Sequence, residues 1–271
     1  MPRVHFGIIG DVHGDFDALN RVMTRHADVA FWLSVGDVAS DDMRYPEPVA
    51  PFYWIEGNNE DFEFIHRCAT GLETGGPTGD SCRTAGLQPG GAGLQGCDGP
   101  SNLHFLPNGS CTAIHGIFVA ALGGTYAPTW YDTPAGKLPF PAQRPVAGVG
   151  HAVPSRRSRG GAGLSVRDDK RRHFVREQVE ALAAMRGVDV LLTHEAPRPF
   201  IVQAGARRLD AGKTVINKVL AAMRPRLHFF GHHHRFSDAI RDGVRSIGLD
   251  LVSRSYVLVD AGSFEYARMD T

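Results

Sequence analysis

Val4-His5-Phe6-Gly7-Ile8-Ile9-Gly10-Asp11-Val12-His13-Gly14 is the first motif of the chain. The mostly apolar run 4–9, stopped by Gly10, reads as a buried strand. The residues after it are a tight turn carrying a carboxylate and an imidazole. The same design recurs four times. The run 30–35 leads into Gly36-Asp37, and 52–55 into Gly57-Asn58-Asn59-Glu60. The run 188–192 leads into Thr193-His194-Glu195, and Leu227–Phe230 into Gly231-His232-His233-His234. Helical patterns lie between several of these runs, so the fold class is α/β. In such folds the loops leaving the carboxyl ends of strands hold ligands. Packing alone does not explain strand ends that all present Asp, Asn or His.

The chain has 271 residues, enough to bury a full core, and is expected to be one domain. Lys plus Arg and Asp plus Glu are both 29, so the net charge is zero. That excludes a general electrostatic case for nucleic-acid or membrane binding and leaves room for a local basic patch. No apolar stretch approaches the ~18 residues of a membrane-spanning helix. The first strand starts at once, without the basic start and longer apolar core of a signal peptide, so a cytoplasmic protein is expected. Cys68, Cys82, Cys97 and Cys111 are widely spaced with no Cys-x-x-Cys pair. They read as free thiols in a reducing compartment rather than a structural zinc site.

Residues 15–26 predict a helix, with Phe16, Leu19, Val22 and Met23 on one face and Asp15 and Asp17 at the positive end of its dipole. Another helix starts within 60–67. Residues 71–99 are dense in Gly, Pro, Ser and Thr, and 134–163 form a second irregular stretch that includes the basic cluster Arg156, Arg157 and Arg159. Both read as insertions in the domain, and the first, lacking a ligand-type cluster, is expected to be dispensable for chemistry. Strand patterning resumes over 103–106 and Ile117–Leu122, followed by the turn Gly123-Gly124-Thr125. Asp168 and Asp169 are expected to open a long helix reaching Arg186, and 211–223 another, ended by Pro225. Residues 246–252 and 256–260 predict a terminal antiparallel strand pair.

Asp11, His13, Asp37, Asn58, His194, His232 and His234 form a mixed oxygen and nitrogen donor set. Imidazole with carboxylate and amide oxygen suits manganese, iron or zinc better than calcium or magnesium. The set is too large for one ordinary ion and suits two that share a carboxylate. Ions ~3.5–4 Å apart are a standard apparatus for in-line displacement at phosphorus. His233, between two such residues, is expected to point elsewhere. Glu60 and Glu195 read as orienting groups or helix caps. Arg198 and Arg235 directly follow two of the motifs and are candidates to hold a substrate phosphate.

With these residues the chain resembles the calcineurin-like metallophosphoesterases. Their ordered pattern is Asp-x-His, Gly-Asp, Gly-Asn-His-Glu or -Asp, a His after a strand, and Gly-His-x-His. The resemblance implies a four-layer α/β/β/α sandwich with two mixed sheets flanked by helices. It implies that Asp11, His13 and His234 hold one metal, that Asn58, His194 and His232 hold the other, and that Asp37 bridges them. Asn59 stands where the family has a His that contacts the phosphate and can protonate the leaving oxygen; an amide cannot act as a general acid near neutral pH. The Arg that follows Gly-Asp in the protein phosphatase branch has no counterpart in Gly36-Asp37-Val38-Ala39-Ser40, against a Ser/Thr protein phosphatase. A narrower similarity, through 103–125, the helix from Arg171 and residues 191–198, is to RNA lariat debranching enzymes, which normally lack the first Asp.

The expected function is a metal-dependent phosphodiesterase. Two divalent ions, manganese first with iron or zinc as substitutes, would deliver a bridging hydroxide to phosphorus. Asn59 at the leaving-group side favours diesters with good or strained leaving groups, such as cyclic nucleotides. A nuclease or phosphomonoesterase of the same superfamily, and a non-catalytic metal-dependent scaffold, are the alternatives. The expected partner is a phosphodiester substrate, a cyclic nucleotide or a nucleic acid, with no membrane.

Overall fold

A computed structural model describes residues 5–70, 100–139 and 169–271. In chain order its strands are β1 (His5–Ile9), β2 (Phe31–Ser34), β3 (Phe52–Trp54), β4 (Leu103–Phe105), β5 (Ser110–Ile114), β6 (Ile117–Leu122) and β7 (Val190–Thr193). They continue as β8 (Ile201–Ala204), β9 (Arg207–Asp210), β10 (Leu227–Phe230), β11 (Ser237–Arg241), β12 (Val244–Gly248), β13 (Ser255–Asp260) and β14 (Tyr266–Asp270). The helices are α1 (Phe16–Arg25), α2 (Phe62–Thr70), α3 (Pro128–Tyr131), α4 (Arg176–Ala184) and α5 (Thr214–Met223). One sheet has the order β14-β13-β1-β2-β3-β4 and the other β11-β12-β10-β7-β6-β5, while β8 and β9 form a separate hairpin. β1 to β4 run parallel, as do β6, β7, β10 and β12, with antiparallel strands at the margins. No helix of the described residues is long and apolar enough to cross a membrane.

The layers follow from the strand period of two. On β1 and β2, Phe6, Ile8, Phe31 and Leu33 point between the sheets and meet Val119, Val190, Leu192 and Phe229. Ile9 and Trp32 point the other way, onto Leu19, Val22 and Met23 of α1. Gly7 is required on that face, because a Cβ there would lie 2.1 Å from the Trp32 ring. The outer face of the second sheet, with Ala120, Leu122 and Leu191, packs on Val179 and Leu182 of α4 and Ile216, Val219 and Leu220 of α5. Helix, sheet, sheet and helix thus make the four-layer sandwich that the resemblance implies. Asp15 caps α1 by accepting from the Ala18 amide at 3.0 Å.

Three expectations need correction. In place of the long helix expected from Asp168, the described residues from Asp169 on form a 3-10 turn, Lys170–Arg172, then an extended link, and only then α4. His173 bridges Thr125, Phe174 N donates to Thr125 O at 3.3 Å, and the Gln178 side chain accepts from Val175 N at 2.9 Å. These tertiary bonds hold the link extended while Phe174 is buried. Helix α5 starts at Thr214, because Lys213 N donates instead to Ala196 O at 2.8 Å. The proposed terminal pair does not pair. β12 lies beside β10 and β11, whereas β13 crosses to the other sheet and pairs with β1 and β14. Both irregular stretches lie largely outside the described residues; residues 71–99, Arg156, Arg157 and Arg159 all do.

Three parallel strands share a buried polar relay. Thr193 donates its hydroxyl to Glu195 O at 2.6 Å, so at 2.9 Å it accepts from His228 Nε2. His228 Nδ1 then accepts from the Ser246 hydroxyl at 3.0 Å. Burial pushes the His228 imidazole down to about 3. Its folded pKa therefore lies below the unfolded value of 6.5, and its stabilising effect, complete above 6.5, is lost as pH falls toward 3. In chelator-treated protein, unfolding free energy should fall on acidification through that window. In His228→Met the slope should be shallower by about one proton, or ~1.4 kcal/mol per pH unit. Urea titrations between pH 4 and 6.5 measure it; an unchanged slope would mean His228 is not held neutral.

Candidate metal centre

β1, β2, β3, β7 and β10 all end at one edge of the sandwich. The turns after them interlock. Val12 N and His13 N both donate to Asp37 O, at 3.0 and 2.8 Å, and Val252 N, on the crossing between the sheets, donates to Asp11 O at 3.0 Å. His13, Asp37, His232 and His234 have φ of 46, 49, 68 and 47°. The left-handed region costs a non-glycine residue ~1–2 kcal/mol. Four such residues in one place indicate that side-chain chemistry, not backbone comfort, selected them.

Two donor clusters result. Asp11, His13 and His234 form one, and Asp37, His194 and His232 the other; within each the ligand atoms lie within 4.8 Å of one another. Asp11 is buried, accepts from His232 N at 3.0 Å and faces His234 Nε2 at 3.0 Å. His234 Nε2 lies 3.0 Å from His13 Nε2. Asp37 Oδ2 stands between the clusters, 3.6 Å from His13 Nε2 and 3.7 Å from His194 Nε2. Its partner oxygen, Oδ1, is taken up by Asn58 N at 2.7 Å and Asn59 N at 2.8 Å. The backbone thereby fixes one oxygen and leaves the other facing both clusters. Asn58 Oδ1 joins the second cluster, 3.0 Å from His194 Nε2.

The donor set fits two divalent cations. His194 Nδ1 sits 2.8 Å from Val35 O, an acceptor only, so Nδ1 carries the proton and Nε2 is left to ligate. Burial alone would lower His194, but Asp37 and then Asp11 carry it above its usual value. The hydrogen bond to Asp11 outweighs burial and raises His234. Burial would raise Asp37, yet His194, His13 and the Asn59 bonds hold it below the usual carboxylate range. Buried carboxylates here demand positive charge, the demand that divalent ions meet. His232, pushed down to about 4 by burial and by His194, stays neutral and can ligate.

Two glycines and a glutamate permit this convergence. A Cβ on Gly57 would lie 2.0 Å from Asp37 Oδ1, and one on Gly231 2.2 Å from Asp11 Oδ1. Glu60 is fully buried behind the site. It accepts from Val38 N at 2.8 Å, Ala39 N at 3.2 Å and the Tyr45 hydroxyl at 3.0 Å, lashing the Asp37 turn to the Asn58 turn. Burial, then the Asp37 charge, pushes its carboxyl up to about 8. Glu195 similarly accepts from Tyr126 N at 3.2 Å and pairs with Lys213 at 3.2 Å.

The other candidates are placed differently. Asn59 turns its amide back, donating Nδ2 to Asp37 Oδ2 at 2.9 Å. Arg198 pairs with Asp210 at 2.9 Å. Arg235 lies 4.7 Å over the Phe200 ring and donates to Ile201 O at 3.0 Å. His233 stacks on Phe200 at 4.6 Å and meets His232 edge-on at 4.9 Å without joining either donor cluster, and so braces the turn that carries His232 and His234. Sequence reading missed Tyr45 and the crossing segment at Asp250; a Cβ on Gly10 would meet Asp250 O at 1.9 Å, a proximity no local pattern encodes.

The family model for calcineurin-like phosphoesterases matches residues 4–236, from the first strand to just beyond the last ligand turn. The chain belongs to that family. As a calcineurin-like phosphoesterase it falls among phosphoric ester hydrolases that typically use two divalent metals. Its fold is similar to that of TT1561 of Thermus thermophilus, at 11% identity and a TM-score of 0.54, over 99% of each chain. A second crystal structure is similar at 12% identity and a TM-score of 0.58, over 100% of this phosphoesterase and 99% of its own chain. GAP50 of Plasmodium, described as the anchor in the inner membrane complex, is more distant, at 10% identity and a TM-score of 0.46, over 99% of this chain and 89% of its own. No curated protein matches the sequence.

Proposed function

We propose that this phosphoesterase is a phosphodiesterase acting through two divalent ions, manganese in the first instance. The observation that carries the reading is Asp37 Oδ2, placed between His13 Nε2 and His194 Nε2 at 3.6 and 3.7 Å. Asp11, His13 and His234 would hold one ion, Asn58, His194 and His232 the other, and Asp37 both. When bound, such a pair supplies Lewis-acid charge for the phosphoryl oxygens and lowers the pKa of a water. Asp37 holds its outward oxygen in place through the three bonds from Asn58 and Asn59. His194 keeps its proton on Nδ1, donated to Val35 O, and Glu60 stops the two turns from drifting apart. Preorganised charge of this kind needs no reorganisation during reaction.

Asn59 supports diesters over unactivated monoesters. Its side chain carries no titratable proton, so leaving groups that depart unprotonated are favoured, among them aryl oxides and the strained oxygens of cyclic nucleotides. Manganese-loaded protein should hydrolyse a bis-aryl phosphodiester; no turnover of aryl diesters, cyclic nucleotides, oligonucleotides or monoesters with any divalent metal would refute an enzymatic role. In Asn59→His, turnover of alkyl diesters should rise relative to aryl diesters, toward the ~10²–10⁴-fold scale of general acid catalysis. An unchanged ratio at preserved metal content would place residue 59 away from the leaving group and leave only its hold on Asp37.

A further inference from the structure

Arg172 stands beside the loop that follows β6 at the metal edge, and the buried Nε of its side chain has no hydrogen-bond acceptor among the described residues. It ends the 3-10 turn Lys170–Arg172, which is strapped between that loop and α2. On one side, Arg172 O accepts from Thr125 N at 2.8 Å and Thr125 Oγ1 at 3.4 Å. Gly124 is pressed so closely against it that a Cβ would lie 2.4 Å from Arg172 O and 3.3 Å from Glu56 Oε1. Glu56 directly precedes Gly57, the residue that packs on Asp37 Oδ1. On the other side, Arg171 reaches Glu63 at 2.8 Å, in the first turn of α2, the helix that follows Asn58 and Asn59. The turn thus sits between the loop after β6, which packs on Glu56, and the first turn of α2.

The two neighbouring arginines are used differently. Arg171 takes both carboxylates within reach, Glu63 and, through two nitrogens, Asp169. Arg172 is half-buried, its Nε is buried without an acceptor, and its guanidinium makes no ion pair among the described residues. His173 beside it, bonded through Nδ1 to Thr125 Oγ1 at 2.8 Å, is held down at about 4 by burial and by the Arg172 charge, so it adds no charge of its own. A buried donor without an acceptor is costly, more so on a cation. An anionic ligand would supply the acceptor that Nε lacks. Arg198 and Arg235 do not fit that description, being committed to Asp210 and to Phe200 with Ile201 O.

We propose that Arg172 is the seat of an oxyanion site that receives the phosphoryl oxygens of a phosphate ester between the loop after β6 and the first turn of α2. The proposal rests on the phosphodiesterase reading for its substrate and on the Arg172 environment for its location. The flat guanidinium fork suits two oxygens of one phosphoryl group, which a lysine ammonium matches only as a point charge.

The test is calorimetric titration of manganese-loaded protein with inorganic phosphate, in the parent, Arg172→Gln and Arg172→Lys. Arg172→Gln should weaken phosphate binding roughly 10- to 100-fold, the scale of one or two hydrogen bonds to a charged group, and Arg172→Lys should lose less. Without phosphate, the melting temperature of Arg172→Gln should equal or exceed the parent's, since a buried donor without an acceptor is removed; with phosphate, the parent alone should gain. KM for the aryl diester should rise more than kcat falls. Phosphate affinity unchanged by Arg172→Gln at full metal content would overturn the site, as would no phosphate binding by the parent. A fall in melting temperature without phosphate, at unchanged affinity, would make Arg172 structural. If no ester is hydrolysed yet phosphate binding depends on Arg172, the anion site stands and the hydrolase reading fails. If esters are hydrolysed and Arg172→Gln is indifferent, the reverse holds.

Discussion

Asp37→Asn should lower turnover of an aryl phosphodiester by roughly 10³-fold or more, the largest loss among the ligand substitutions, because charge stabilisation by bound ions is worth several kcal/mol at ~1.4 kcal/mol per tenfold. The geometry sets Asp37 apart. Asp11 faces one cluster, but Asp37 Oδ2 faces imidazoles of both, at 3.6 and 3.7 Å. An amide keeps the volume and one oxygen while removing the charge. It also puts an NH2 either against the amides of Asn58 and Asn59 or toward the metal ligands. Binding of one ion should weaken in each cluster, where His234→Ala should weaken only the first. Steady-state kinetics with metal titration measure this. Near-parent turnover of Asp37→Asn at saturating manganese would remove Asp37 from the bridging position.

Gly57→Ala is the second large effect, and it acts through shape alone. The new methyl would lie 2.0 Å from Asp37 Oδ1 and 2.3 Å from Asp37 N. The backbone nitrogen cannot swing aside as a flexible side chain could. Either the Asn58 turn or the Asp37 turn must move, and Glu60 ties the two together. Overpacking of this kind costs ~1–3 kcal/mol, more where backbone is involved. The expected result is a lower melting temperature and loss of manganese binding together. A protein that folded, bound metal and turned over like the parent would show that this close approach has no bearing on the site.

Much of this was legible in the sequence. The strands at the ligand edge are short apolar runs ended by Gly, Asp or His, and chemistry shows in residue type where chain direction demands a turn. The period of two on β1 and β2 already separates Phe6 and Ile8 from Ile9. Pairing partners were not legible. β12 and β13 have strand patterning and a short link, which reads as a hairpin, yet Leu249 N binds Phe230 O and Val252 N binds Asp11 O as the chain crosses between sheets. The start of α4 was obscured because tertiary bonds at Thr125 override the helical preference of 170–175. The β8–β9 hairpin carries Gln203, Arg207 and Arg208 with little apolar alternation to announce it. Which side chains converge could be read from motif order. How they are held could not: the Val35 carbonyl on His194, the two amides on Asp37 and the Glu60 brace are contacts between segments far apart in the chain.

The measurement closest to the centre of the account is the number and position of bound ions. Protein saturated with manganese and freed of excess should contain two ions per chain by elemental analysis. Anomalous diffraction from the same material should place one among Asp11, His13 and His234, the other among Asn58, His194 and His232, with Asp37 touching both. A single ion, or two with Asp37 bound to only one, would contradict the bridged centre on which the proposed phosphodiesterase depends.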